Sequence, residues 1–160
     1  MIKVAILTVS DKGSEGLRED ESGRIIKEMI SSLPTEVISY EIVPDEGEII
    51  RKRLIKYSDE LKVDLILTTG GTGFSPRDVT PEATLDVIDR NVPGIAEAMR
   101  QASLKVTPHA MLSRAVSGIR KATLIVNLPG SPKGVRENLE IILPVLPHGL
   151  EVLKGKSSHN

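Results

Sequence analysis

Apolar residues along this chain come in two rhythms, short unbroken runs and longer stretches with a helical repeat, and the two alternate. Ile2 to Val9 is a nearly continuous apolar run, the pattern of a strand buried on both faces in a parallel sheet. Ser10-Asp11-Lys12-Gly13 ends it. Ile25, Ile26, Met29 and Ile30 then recur at helical spacing within Ser22 to Ser31, and Ser32-Leu33-Pro34 closes the segment. Thr35 to Val43 predicts a second strand. Pro44-Asp45 interrupts it, and Ile49, Ile50, Leu54, Ile55 and Tyr57 resume the helical period up to about Leu61. Val63 to Thr69 is the third strand. Two successive β-α-β units imply right-handed crossovers and a parallel sheet.

Helices are predicted over Pro81 to Ile88 and Pro93 to Leu104, each with proline at its favoured first position. Met111 to Ile119 fits helix or strand. Ala122 to Leu128 is a further buried strand, after which Pro129-Gly130-Ser131-Pro132 turns into a helix from Lys133 to about Leu143. A last apolar segment precedes a polar tail, expected to fray. The expectation is an α/β fold in three layers, a mostly parallel central sheet with helices on both faces. One domain spans residues 1–153, and a C-terminal tail spans 154–160.

Composition narrows the chemistry. Aromatics make up only 2% of the 160 residues, so the core is aliphatic and there are no platforms for base stacking. The formal net charge of −1 supplies no basic field for nucleic acid or an anionic membrane. The absence of cysteine excludes disulfides, thiolate metal sites and a cysteine nucleophile. The N-terminal apolar run is too short for a signal peptide, and no run approaches membrane-span length, so a soluble cytoplasmic protein is expected.

In open α/β sheets, ligands bind at the carboxyl ends of the parallel strands. Those exits are polar here: Thr8, Ser10 and Asp11 after the first strand, Asp45 after the second, Thr68 to Gly73 after the third, and Asn127, Gly130 and Ser131 after the last. Gly70-Gly71-Thr72-Gly73 permits positive φ and close backbone approach, so that amide N–H groups can face phosphate oxygens. It contains neither the Gly-Lys-Ser/Thr of a P-loop nor G-x-G-x-x-G. Asp78, just beyond, is either a turn-forming loop acid or a ligand for Mg²⁺. Asp45 reads first as a helix N-cap with Glu48 three residues on, a capping box worth roughly 1 kcal/mol, and second as another Mg²⁺ ligand. Ser131 is either the cap of its helix or part of an anion site at the helix start. Lys12, Arg77, Arg114 and Lys133 are candidate cations. His109, His148 and His159 lack metal-ligand spacing and receive no role.

Ser10-Asp11-Lys12 with Gly16, Asp20 and Ser22-Gly23, Val43-Pro44-Asp45-Glu46, LTTGGTGFSPRDVTPEAT, Pro93-Gly94, Leu112-Ser113-Arg114 and Asn127-Leu128-Pro129-Gly130-Ser131-Pro132 together resemble the molybdopterin adenylyltransferase family. The resemblance runs through almost the whole chain. It implies transfer of AMP from Mg-ATP to the terminal phosphate of molybdopterin, with release of pyrophosphate. It also implies that Asp45 and Asp78 are the acids the reaction needs. Gly70, Gly71, Thr72, Gly73, Ser113, Asn127, Gly130 and Ser131 would border nucleotide and phosphates, while Ser10, Asp11 and Asp20 would lie on the pterin side. A homotrimer and a molybdenum insertase as partner are further implications. Two other functions compete: a non-catalytic pterin-binding or oligomerising module of the same fold, and a nucleotide pyrophosphatase of the competence-protein group.

Overall fold

The computed structural model describes residues 1–156. In chain order its principal elements are β1 (Ile2–Val9), α1 (Asp11–Ser14), α2 (Glu21–Ile30), β2 (Thr35–Val43), α3 (Gly47–Ile55), β3 (Leu65–Thr69), α4 (Thr80–Val87), β4 (Arg90–Asn91), α5 (Pro93–Leu104), β5 (Ser117–Arg120), β6 (Thr123–Leu128), α6 (Pro132–Ile142) and α7 (Leu146–Leu153). The sheet runs β2-β1-β3-β6-β5-β4. Its first four strands are parallel, and β5 and β4 continue it antiparallel.

The register aligns the strand exits. Thr8 pairs with Thr69 and Thr69 with Leu128, while Val9 pairs with Val43. The chain therefore leaves four strands along one rim. Alternation along β1 sends Val4 and Ile6 to one face, against α2, α5, α6 and α7. Ala5, Leu7 and Val9 go to the other, against Ile50 and Leu54 of α3, Tyr57, and Ala83 and Val87 of α4. Each fully buried Leu or Ile contributes about 1.5–3 kcal/mol by leaving water. Because α2 follows β1 on one face and α4 follows β3 on the other, the exits of these neighbouring strands splay apart and open a crevice.

Two expectations are corrected. The ambiguous Met111 to Ile119 is neither one helix nor one strand. It divides between a 3-10 turn over Pro108–Leu112 and strand β5. The β5-β6 hairpin lacked a sequence signal because Lys121, rather than glycine or asparagine, takes the left-handed position, with φ of 52°. The tail does not fray from Lys154: its Nζ pairs with Asp64 Oδ1 at 2.9 Å, and its N–H bonds Leu150 O. The rest of the tail, from 157, lies outside the described residues.

Candidate active site

The glycine loop follows β3 directly and needs its glycines. Gly70 and Gly71 have φ of 96° and 69°, the left-handed region that side chains resist. A Cβ on Gly70 would stand 2.2 Å from Val9 O, and one on Gly71 would stand 2.3 Å from Thr80 Oγ1 and 3.2 Å from Asp45 Oδ1. Thr80 pins the loop from the start of α4, its Oγ1 donating to Gly70 O at 2.9 Å and its N–H to Gly71 O at 3.1 Å. Thr80 is thus not the N-cap that its Thr-Pro context suggests. Val79 holds that position.

Asp45 does not cap α3 either. Glu46 is the N-cap, without a side-chain cap bond, and Glu48 pairs with Lys52 instead. The capping box fails because the Asp45 carboxylate turns back to the β1 exit, where Oδ2 accepts the Asp11 N–H at 2.9 Å while the Asp45 N–H donates to Asp11 Oδ1 at 2.9 Å. Arg77 forks onto Asp11, Nε at 3.0 Å and Nη2 at 2.8 Å, and this hydrogen bonding holds the Asp11 carboxyl below its usual range. Burial pushes Asp45 the opposite way. The neighbouring charges of Asp11 and Asp78 add to that rise, against the Asp11 N–H and Arg77. A half-buried carboxylate beside other acids is one that a cation would stabilise.

Asp78 Oδ2 accepts the Ser75 N–H at 3.0 Å and lies 3.0 Å from where a Cβ on Gly73 would be. Asp45 and Asp78 both line a cavity of about 670 Å³, with Ser10, Asp20, Ser22, Gly70, Gly71, Gly130 and Ser131. Asp11 stays out of that wall, tied to Arg77. Two helix starts face this space. Asp20 caps α2, accepting the Gly23 N–H at 2.9 Å on one oxygen and Thr8 Oγ1 and Tyr40 Oη on the other. Ser131 caps α6 through the Gly134 N–H at 3.0 Å, so its capping role and its place in the cavity coexist. Ser22 Oγ donates to Gly130 O at 2.7 Å, fastening the two helix starts together. Ser10 Oγ accepts the Gly13 N–H at 3.0 Å and caps the short α1.

A second cavity of about 280 Å³ lies behind the same loop, bordered by Thr72, Gly73, Met99, Ser103, Ser113 and Asn138, among others. Gly70 and Gly71 therefore wall one space while Thr72 and Gly73 wall the other. Ser113, expected like Ser131 to border nucleotide and phosphates, lines only the smaller one. Asn127 reaches neither. It is 0% exposed, donates to Thr68 Oγ1 and Thr84 Oγ1, each at 3.0 Å, and accepts the Val116 N–H at 3.2 Å. Its place at the end of the strand marks it as a rim residue, yet its side chain points down into the sheet.

Ser103 had no role from the sequence, yet its buried Oγ has no hydrogen-bond partner among the described residues, an arrangement that invites a ligand. The available signal was a polar residue on the buried stripe of α5, where Ala96 and Met99 precede it at helical spacing. His109 also borders the smaller cavity, with Nδ1 3.2 Å from Thr107 Oγ1. His159 lies outside the described residues. Among the cations, Lys133 Nζ sits 3.9 Å from Glu137.

Among the described residues no three His, Cys, Asp or Glu side chains converge as a metal cage. The pair Asp45 and Asp78 instead offers oxygen donors only, the set that suits Mg²⁺, which ordinarily takes one or two carboxylates and completes its shell with water and substrate phosphates. No helix is long and apolar enough to cross a membrane among the described residues.

Aligned strand exits carrying a positive-φ glycine loop, two capped helix starts and an acid pair, beside two cavities, define an α/β protein with its candidate site at the rim of a mostly parallel sheet. Residues 5–148 match the family described as "Probable molybdopterin binding domain". The chain is 48% identical over 157 residues to the molybdopterin adenylyltransferase of Helicobacter pylori strain J99, covering 96% of this chain and 89% of that one. It is 45% identical over 141 residues to the molybdopterin adenylyltransferase of Escherichia coli K12, covering 87% and 72%. The crystal structure of the molybdopterin biosynthesis enzyme MoaB of Thermus thermophilus superposes with a TM-score of 0.93 at 56% identity, over 98% of each chain. The chain belongs to this molybdopterin-binding family.

Proposed function

We propose that this chain is a molybdopterin adenylyltransferase. A terminal phosphate oxygen of molybdopterin attacks the α-phosphorus of ATP, the bond to the bridging oxygen breaks, and pyrophosphate leaves. The observation that carries this reading is the shared wall: two cavities of different size and polarity meet at Gly70 to Gly73. Two substrates held on opposite sides of one loop bring their phosphates together at it, and such positioning is worth several orders of magnitude in rate.

The larger cavity is bounded by the Gly70-Gly71 backbone and by the starts of α2 and α6, and these helix starts direct partial positive charge at a polyphosphate. The smaller one sets Ala96, Met99, Leu112 and Ala115 around the Ser103 hydroxyl, a fit for a flat heterocycle with hydrogen-bonding edges. Asp45 and Asp78 would hold Mg²⁺, which when bound neutralises charge on phosphate oxygens. The backbone donors of the loop would stabilise the same developing charge. No side-chain nucleophile is needed, in keeping with a site that has no cysteine.

The test is pyrophosphate release from Mg-ATP with and without molybdopterin. Release that depends on both Mg²⁺ and pterin is expected, and Asp78→Asn lowers turnover on the order of 10²-fold or more while pterin binding persists. Tight pterin binding without AMP transfer in the unaltered chain would replace this function with that of a non-catalytic module. We further infer a cytoplasmic homotrimer that passes its product to a molybdenum insertase. Exposed Phe74 and Met111 are apolar surface available for such contacts, and light scattering reads the assembly.

A further inference from the structure

Arg114 closes the acid-bearing loop into a ring. Its Nε donates to the Gly73 carbonyl at 2.7 Å and its Nη2 to the Asp78 carbonyl at 2.8 Å, and its own N–H reaches Thr72 O at 2.8 Å. The remaining nitrogen, Nη1, pairs with Glu82 Oε2 on α4 at 2.6 Å. One planar fork thus joins the two ends of segment 73–78, whose last residue carries the carboxylate. Inside that ring, Asp78 Oδ2 accepts the Ser75 N–H at 3.0 Å, so the direction of the carboxylate follows from the backbone that Arg114 holds.

A guanidinium with all three nitrogens occupied is poorly placed to serve as a phosphate ligand, and Arg114 borders neither cavity. Resting on the adenylyl-transfer function above, we propose that Arg114 is a positioning residue: it orients Asp78 toward the larger cavity through the carbonyls of Gly73 and Asp78. Lysine cannot replace it. A single ammonium on a flexible stem keeps the charge but lacks the rigid fork that reaches two carbonyls in one plane.

Arg114→Lys and Arg114→Met in the full chain separate this role from simple charge. Both variants lose turnover about tenfold or more, and the Mg²⁺ concentration for half-maximal rate rises by a similar factor, because a displaced acid weakens metal capture. In the Asp78→Asn background, Arg114→Met costs less than about twofold further, since the group it positions is already gone. Wild-type turnover in Arg114→Lys, or fully additive losses in the double variant, would overturn the proposal.

A second measurement needs no activity. Amide hydrogen exchange of residues 73–78 rises by about tenfold or more in both folded variants while β3 and β6 stay protected. Unchanged exchange there would also overturn it. If the unaltered chain released no pyrophosphate, the adenylyl-transfer function would fall by itself, and exchange would still read whether Arg114 holds the loop.

Discussion

Replacing Asn127 with alanine distinguishes a residue that binds nucleotide from one that holds up the floor of the site. The side chain makes three hydrogen bonds, linking β6 to Thr68 on β3, to Thr84 on α4, and to the N–H of Val116 ahead of β5. Thr84 Oγ1 in turn donates to Thr80 O, and Thr80 Oγ1 to Gly70 O, so the amide props the glycine loop at two removes. Truncation leaves the part-buried Val116 N–H without this partner, at about 1–3 kcal/mol, and removes two further bonds worth roughly 0.5–1.5 kcal/mol each. The sum is about 2–6 kcal/mol. For a chain of this size each kcal/mol lowers Tm by about 2–4 °C, so Tm falls by roughly 4–24 °C. The assay is thermal unfolding followed by circular dichroism, paired with KM for ATP measured well below the new Tm. A KM within about threefold of the unaltered chain is expected, because the amide touches neither cavity. An unchanged Tm with a large rise in KM would refute the reasoning and return Asn127 to the nucleotide site.

Asp45→Asn abolishes transfer yet raises Tm at pH 7. The folded state holds the Asp45 carboxyl above its usual range, so ionisation works against folding as pH rises through that range, and the gain disappears in acid, where both side chains are neutral. A Tm difference independent of pH would contradict this. Asp59 behaves oppositely: Arg120 holds its carboxyl down at about 2, so its stabilisation is present above the usual carboxylate range and is lost as pH falls toward 2. Asp59→Asn should therefore lower Tm at pH 7, with the deficit closing in acid titrations followed by fluorescence or circular dichroism. Gly71→Ala combines a left-handed backbone, about 1–2 kcal/mol for an L-residue, with a contact 2.3 Å from Thr80 Oγ1. It should lower both Tm and turnover. Recovery of part of the Tm loss in a Thr80→Ala background, read by the double-mutant cycle, would assign that part to the hydroxyl.

The sequence by itself determined the parallel half of this protein. Largely apolar runs such as LILTT and TLIVNL are buried at every position in β3 and β6, because a strand covered on both faces has no solvent-facing side to display. The glycine loop was also legible, since positive φ at Gly70 and Gly71 demands residues without Cβ. The antiparallel edge was not legible, because Lys121 makes its turn in a conformation that its side chain does not advertise.

Within the site, only tertiary structure decided which polar residues face the ligand space. Asp45, with the local context of a helix cap, bonds to Asp11 across 34 positions of sequence, while Asn127, at a strand end, is spent on the sheet below. Ser103, on a helix stripe that reads as core, ends in a cavity wall as a hydroxyl without a hydrogen-bond partner among the described residues. Local spacing determines where a backbone turns. Which carboxylate stays available, and which amide is consumed, depends on the partners that distant segments bring to it, and those partners exist only once the sheet has set its register.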